Sequence, residues 1–163
     1  LDVWITANCT GAHYACWSRG FRAVIGRINH IALVVPDLDV AIEQWRDLLG
    51  AEISVPKILE DHGVRIVFIR SVNGQVELME PYGEKSPIAG FLQRNPDGGL
   101  HHICYEVNDI GLARRNLEAK GARILGDGLV KTGAHGNPVL FLHPKDFNGT
   151  LIELEQVSGG ETE

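Results

Sequence analysis

Asn29-His30-Ile31-Ala32-Leu33-Val34-Val35-Pro36-Asp37 is answered by His101-His102-Ile103-Cys104-Tyr105-Glu106-Val107-Asn108-Asp109, at an offset of 102 − 30 = 72 residues. Both stretches are short, apolar and rich in β-formers, and both stop at an Asp able to cap a helix. Leu38, Ala41, Ile42, Trp45, Leu48 and Leu49 then fall on one face of a helix that Gly50 ends. Ile110, Ala113 and Leu117 repeat that face up to Gly121.

The correspondence continues beyond the helices. Gly50-Ala51-Glu52-Ile53 matches Gly121-Ala122-Arg123-Ile124, and His62 to Ile69 matches His135 to Leu142. Gln75-Val76-Glu77-Leu78 matches Leu151-Ile152-Glu153-Leu154. Each unit therefore reads strand, helix, then three strands. The expected fold is α+β: two tandem βαβββ modules forming a curved eight-stranded sheet around a cleft. Module 1 covers about 27–82 and module 2 about 99–157, joined by a linker helix over about 86–95 with Pro87 in its first turn. Together they make one domain, 27–157.

Residues 1–26 carry no clear period and are set aside as an N-terminal extension, either a transit-peptide remnant or an upstream part of a reading frame. Residues 158–163 read as a polar tail. The 163 residues carry a net charge of −6, which argues against a nucleic-acid-coating role. No apolar run reaches the ~18 residues of a membrane span. Three cysteines, Cys9, Cys16 and Cys104, without a CxxC pair suit a reducing compartment, with Cys104 read as a small buried thiol.

Strand alternation makes a sharper statement. If Ile31, Leu33 and Val35, and their counterparts Ile103, Tyr105 and Val107, face the helices, then His30 and His102 face the cleft. If Val76, Leu78, Ile152 and Leu154 face outward, Glu77 and Glu153 face inward. Two histidines and two glutamates then share one concave surface, a donor set suited to a divalent first-row metal. By the same parity His101 falls on the opposite face and reads as structural.

At these residues the sequence resembles the vicinal-oxygen-chelate (glyoxalase/bleomycin-resistance) superfamily, and within it the acyl-CoA epimerases. The resemblance rests on Gly26-Arg27-Ile28-Asn29-His30-Ile31-Ala32, Ser86-Pro87-Ile88-Ala89-Gly90-Phe91-Leu92 and Gly99-Leu100-His101-His102-Ile103-Cys104. Gly133-Ala134-His135-Gly136, His143-Pro144-Lys145-Asp146 and Gly149-Thr150-Leu151-Ile152-Glu153-Leu154-Glu155 extend it.

The resemblance implies that His30, His102 and Glu153 are metal ligands, with Glu77 at the fourth point. It implies a divalent ion, cobalt first, with manganese, nickel or zinc as alternatives. The implied reaction inverts C2 of a 2-carboxylated acyl-CoA, with Glu153 as one catalytic base. Some relatives place a second glutamate shortly after the glycine of the third strand, where this chain has Arg65. Glu77 is the first substitute and Glu106 the second. Arg65 and Lys145 are candidates for binding the substrate carboxylate or CoA phosphate. The resemblance further implies a homodimer, and a bacterial cytoplasmic or mitochondrial matrix location. A glyoxalase I-type lyase, a ring-cleaving dioxygenase and a metal-free sequestration protein are the competing readings.

Overall fold

The computed structural model describes residues 24–157. The expected extension, apart from residues 24–26, and the expected polar tail lie outside the described residues. Val24 packs against the core of module 2, and the Gly26 N–H donates to the Glu106 carbonyl at 2.7 Å, so the described chain is anchored before Arg27.

Module 1 comprises β1 (Ile28–Val34), α1 (Leu38–Leu49), β2 (Glu52–Ile53), β3 (Lys57–Leu59), β4 (Val64–Ser71) and β5 (Gly74–Pro81). A short helix α2 (Ala89–Arg94) leads to module 2: β6 (Gly99–Val107), α3 (Ile110–Ala119), β7 (Lys131–Thr132), β8 (Pro138–Leu142) and β9 (Leu151–Gln156). All strands belong to one sheet in the order β2-β4-β5-β1-β6-β9-β8-β7, with β3 also paired to β4.

Among the described residues nine strands replace the expected eight. In module 2 the expected strand at Ile124 is reduced to a bridge with Leu142, with β7 following at Lys131. In module 1 the second strand is broken in two. Glu52 and Ile53 pair with Arg70 and Ile69, and pairing resumes at Lys57 opposite Ile66. Pro56, which has no N–H to give a ladder, lies in the gap. The linker helix is also shorter than expected. The Ser86 carbonyl accepts from the Ala89 N–H at 3.2 Å, so Ser86 to Ile88 form a turn and the helix starts only at Ala89.

Both long helices start as the sequence implies. The Asp37 carboxylate accepts from the Val40 N–H at 3.0 Å, and the Asp109 carboxylate accepts from the Leu112 N–H at 2.8 Å. Gly50 closes α1 in the left-handed region at φ +63°, which a side chain would disfavour. Leu38, Ile42, Val67, Ile69 and Leu78 bury α1 against the sheet. Ile110, Ala113, Leu140, Ile152 and Leu154 do the same for α3. A third apolar cluster, which includes Ala32, Val34, Val64, Ile66, Met79 and Ile88, fills part of the concave side under α2. Each such large side chain contributes roughly 1.5–3 kcal/mol on burial.

The modules meet through their first strands. β1 and β6 run antiparallel, with Ile31 directly opposite Ile103, its own counterpart in the repeat. The register of this pair is irregular at two points. It passes from Ile28↔Tyr105 to His30↔Cys104, skipping Asn29, and from Ala32↔His102 to Leu33↔Leu100, skipping His101. Each strand thus carries one extra residue, a β-bulge, immediately before its histidine.

Candidate metal centre

The seam between β1 and β6 and the flanking strands β5 and β9 bring the four expected residues together. Glu77 lies beside Ala32 and opposite Phe68, and Glu153 lies beside Cys104 and opposite Phe141. His30, His102, Glu77 and Glu153 are all buried, at 2–5% exposure. The His30 and His102 Nε2 atoms stand 3.2 Å apart. Glu153 Oε2 lies 2.9 Å from His102 Nε2 and 3.2 Å from His30 Nε2. Glu77 Oε2 lies 3.6 Å from His30 Nε2 and 4.0 Å from His102 Nε2. Ligand atoms of His30, Glu77 and His102 lie close enough together to hold a metal ion.

The electrostatics are uneven. Burial opposes the charged form of Glu153, but hydrogen bonds from His102 and His30 outweigh it and hold the carboxyl at about 2. Burial raises Glu77 above its ordinary value, with the histidines only partly offsetting that. Burial alone would lower His30, yet its hydrogen bond to Glu153 and the charges of Glu77, Glu153 and Glu155 raise it. Burial, reinforced by neighbouring His102, lowers His101 to about 4, so its ring stays neutral and keeps one nitrogen lone pair.

Other expected residues fall elsewhere. Arg65 does not reach the cluster. It alternates with Val64 and Ile66, which belong to the concave cluster, so its side chain leaves the other face of the sheet. There it pairs with Asp39 at 2.6 Å and Glu80 at 2.9 Å, while Glu80 also accepts from the Leu38 N–H at 2.7 Å. Arg65 thus fastens the start of α1 to β4 and β5. Lys145 is exposed on the turn between β8 and β9. Glu106 accepts from Asn29 Nδ2 at 3.3 Å rather than joining the histidines. His101 is not on the far face: its Nδ1 meets His102 Nδ1 at 2.9 Å, because the bulge breaks the alternation on which that expectation rests.

The sequence reading also missed a second group beside the first. Glu155, 1% exposed, accepts from Asn137 Nδ2 at 2.7 Å and pairs with His135 Nδ1 at 3.1 Å. The His135 ring stacks on Phe68 with centroids 4.5 Å apart. Alternation from Glu153 places Glu155 on the concave face, and that was the available signal. His135 lies in the segment before β8, where no periodicity locates a side chain.

A family model described as Glyoxalase/Bleomycin resistance protein/Dioxygenase superfamily matches residues 29–141. A Cereibacter sphaeroides protein named ethylmalonyl-CoA/methylmalonyl-CoA epimerase is 61% identical over 134 residues, covering 82% of this chain and 100% of that protein. The human mitochondrial methylmalonyl-CoA epimerase is 52% identical over 132 residues, covering 81% of this chain and 74% of its own length. A solved methylmalonyl-CoA epimerase in complex with methylmalonyl-CoA and NH4+ superposes with a TM-score of 0.74 at 32% identity, covering 83% of this chain and 96% of that one. With its repeated modules, shared cleft and matching sequence model, the chain belongs to the Glyoxalase/Bleomycin resistance protein/Dioxygenase superfamily.

Proposed function

We propose that this chain inverts the C2 centre of methylmalonyl-CoA, removing a proton from one face and returning one to the other. The observation that carries this reading is the convergence of His30, His102, Glu77 and Glu153 at the module seam, in a chain 61% identical to a protein named for that activity. The C2 proton is α to a thioester and to a carboxylate, so its removal places negative charge on oxygen as an enediolate. Inversion requires a base on one side of C2 and an acid on the other.

The donor set fits a divalent cation. Two imidazoles and two carboxylates converge almost shielded from solvent, and the ion pairs made by Glu77 and Glu153 are to those histidines. His30, His102, Glu77 and Glu153 would hold the ion, cobalt by preference, with manganese, nickel or zinc as alternatives. When bound, it supplies Lewis-acid stabilisation of charge developing on oxygen, worth several kcal/mol.

Glu153, which reaches both histidine Nε2 atoms from β9, is assigned the base role. Glu77, on the opposite flank of the seam from Glu153, is assigned the second proton-transfer role, at the other face of C2. A cavity of about 600 Å³ beside His101, lined by Val64, Met79, Ile88, Val139 and Phe141 among others, suits an acyl group and the arm that carries it. Lys145, exposed and cationic, is the basic residue assigned to CoA phosphate. Arg65 drops out of substrate binding, since Asp39 and Glu80 occupy it on the other face.

No helix among the described residues is long and apolar enough to cross a membrane. The reading carries a homodimer, in which a second copy covers exposed sheet edge. It places the protein in bacterial cytoplasm or mitochondrial matrix, in keeping with relatives named from a bacterium and from mitochondria.

The test is proton exchange. One epimer of methylmalonyl-CoA in deuterated water acquires deuterium at C2 when the cation-loaded protein is added, and chelator stops it. Absence of exchange with loaded protein would sink the assignment.

A further inference from the structure

The two residues skipped by the register of the central strand pair are Asn29 and His101, and each directly precedes one of the paired histidines. In both strands the skipped residue turns back to meet the neighbouring imidazole at Nδ1. Asn29 Oδ1 lies 2.9 Å from His30 Nδ1, and His101 Nδ1 lies 2.9 Å from His102 Nδ1. The opposite nitrogens, both Nε2, face each other and Glu153.

The hydrogen-bond chain through Asn29 fixes a tautomer. The Glu106 carboxylate in the anionic form can only accept, so the Asn29 amide turns its Nδ2 toward it, at 3.3 Å. That leaves Oδ1 toward His30, and an amide oxygen can only accept as well. The proton of a neutral His30 therefore sits on Nδ1, with the Nε2 lone pair free. On the other strand the His101–His102 contact takes the same form when His101 carries its proton on Nε2, which leaves its Nδ1 to accept from His102 Nδ1–H. Ligand imidazoles need this arrangement: one nitrogen bare for the metal, the other N–H held by an acceptor.

We propose that Asn29 and His101 are positioning residues of the metal centre, delivered by paired β-bulges to hold His30 and His102 as Nδ1-protonated, Nε2-binding imidazoles. The inference rests on the reading of His30 and His102 as metal ligands. Repetition argues for it: the device occurs once in each module, at equivalent positions, with different chemistry, an amide on one side and an imidazole on the other. A residue kept only to fill space has no reason to present an acceptor to Nδ1 in both.

The test measures Co2+ binding to the metal-free protein by competition with a chromophoric chelator, together with the visible spectrum of bound Co2+. Asn29→Leu and His101→Phe remove the acceptor at similar size, while Asn29→Asp and His101→Gln keep one. The acceptor-free variants are expected to bind Co2+ about 10–100-fold more weakly, with an altered spectrum, and the acceptor-keeping variants to recover most of the loss. Acceptor-free variants that bind within twofold of wild type with an unchanged spectrum overturn the inference. Equal losses in both kinds of variant overturn it too. Histidine 15N resonances of the Zn2+-loaded wild type report the tautomers without mutation. Protonated Nδ1 on both rings is expected, and Nδ1-bound metal contradicts the proposal. A wild-type protein that binds no Co2+ overturns the metal-centre reading itself, a result distinguishable from the others.

Discussion

His30 Nε2 and His102 Nε2 lie 3.2 Å apart although 72 residues separate them in the chain. Neither ring could keep that position alone, since each is carried by the first strand of a different module and the two strands pair directly. Glu153 bridges both nitrogens from the adjacent strand, at 2.9 and 3.2 Å, while Glu77 stands off at 3.6 and 4.0 Å.

That asymmetry predicts unequal effects of the two carboxylates. Glu153→Gln is expected to abolish C2 exchange, lowering the rate by at least 100-fold through loss of the base. Glu77→Gln is expected to slow inversion while leaving measurable exchange at C2. Comparing deuterium incorporation with epimer interconversion in the two variants checks both outcomes.

The metal-free protein is expected to become less stable as pH rises above 6.5. His30 is raised above its ordinary 6.5, so its contribution is complete below 6.5 and is lost as pH climbs through the folded value. Glu77, raised above 4.5, loses stability in the same direction, beginning at lower pH. Glu153, held at about 2, contributes above 4.5 and fails only as pH falls toward 2. His101, held at about 4, opposes this trend below pH 6.5, so melting curves of chelator-treated protein should show a falling midpoint between pH 6.5 and 8.5. The fall should disappear with Co2+ present and flatten in His30→Gln.

Arg65→Ala is expected to leave kcat/KM within about twofold of wild type while lowering stability by at most about 1 kcal/mol. Its side chain is 24% exposed and serves Asp39 and Glu80 on the helix side of the sheet. Steady-state kinetics and a urea titration read the two quantities separately. A large rise in KM would return Arg65 to the substrate.

Leu78 and Leu154 occupy matching positions on β5 and β9, and both are fully buried. Truncating either to Ala is expected to cost about 2–5 kcal/mol. The cost should be similar in the two modules, as measured by denaturant unfolding.

Strand parity made the four central residues legible, because the ladders to β5 and β9 run without a break from His30 to Val34 and from His102 to Val107, in phase with Glu77 and Glu153. The same rule failed at His101 because a bulge is not a composition: nothing in Gly99-Leu100-His101-His102 announces that pairing will skip one residue. Arg65 is a different case: parity with Val64 and Ile66 assigns it to the helix side, where it meets Asp39 and Glu80, while the resemblance to relatives offers it as a contact for substrate. The Glu155 carboxylate could be reached by counting two from Glu153, but its partners His135 and Asn137 come from aperiodic chain. The break in the second strand is marked in the sequence by Pro56, whereas the late start of the linker helix depends on a turn closed by Ser86.

The pairing of Ile31 with Ile103 places equivalent residues on a local twofold axis, as in a symmetric dimer. A half-length chain pairing with itself through that strand would already present two histidines and two glutamates around the axis, so the donor set requires no fusion. What fusion adds is freedom for the halves to differ. Where module 2 has His135 and Glu155 closing one end of the cleft, the corresponding places in module 1 hold His62, bonded to the Thr132 carbonyl, and apolar Met79. A self-paired half would have to build both ends alike. The covalent duplicate can keep the paired histidines and glutamates at the seam and still give the two ends of the cleft unlike walls.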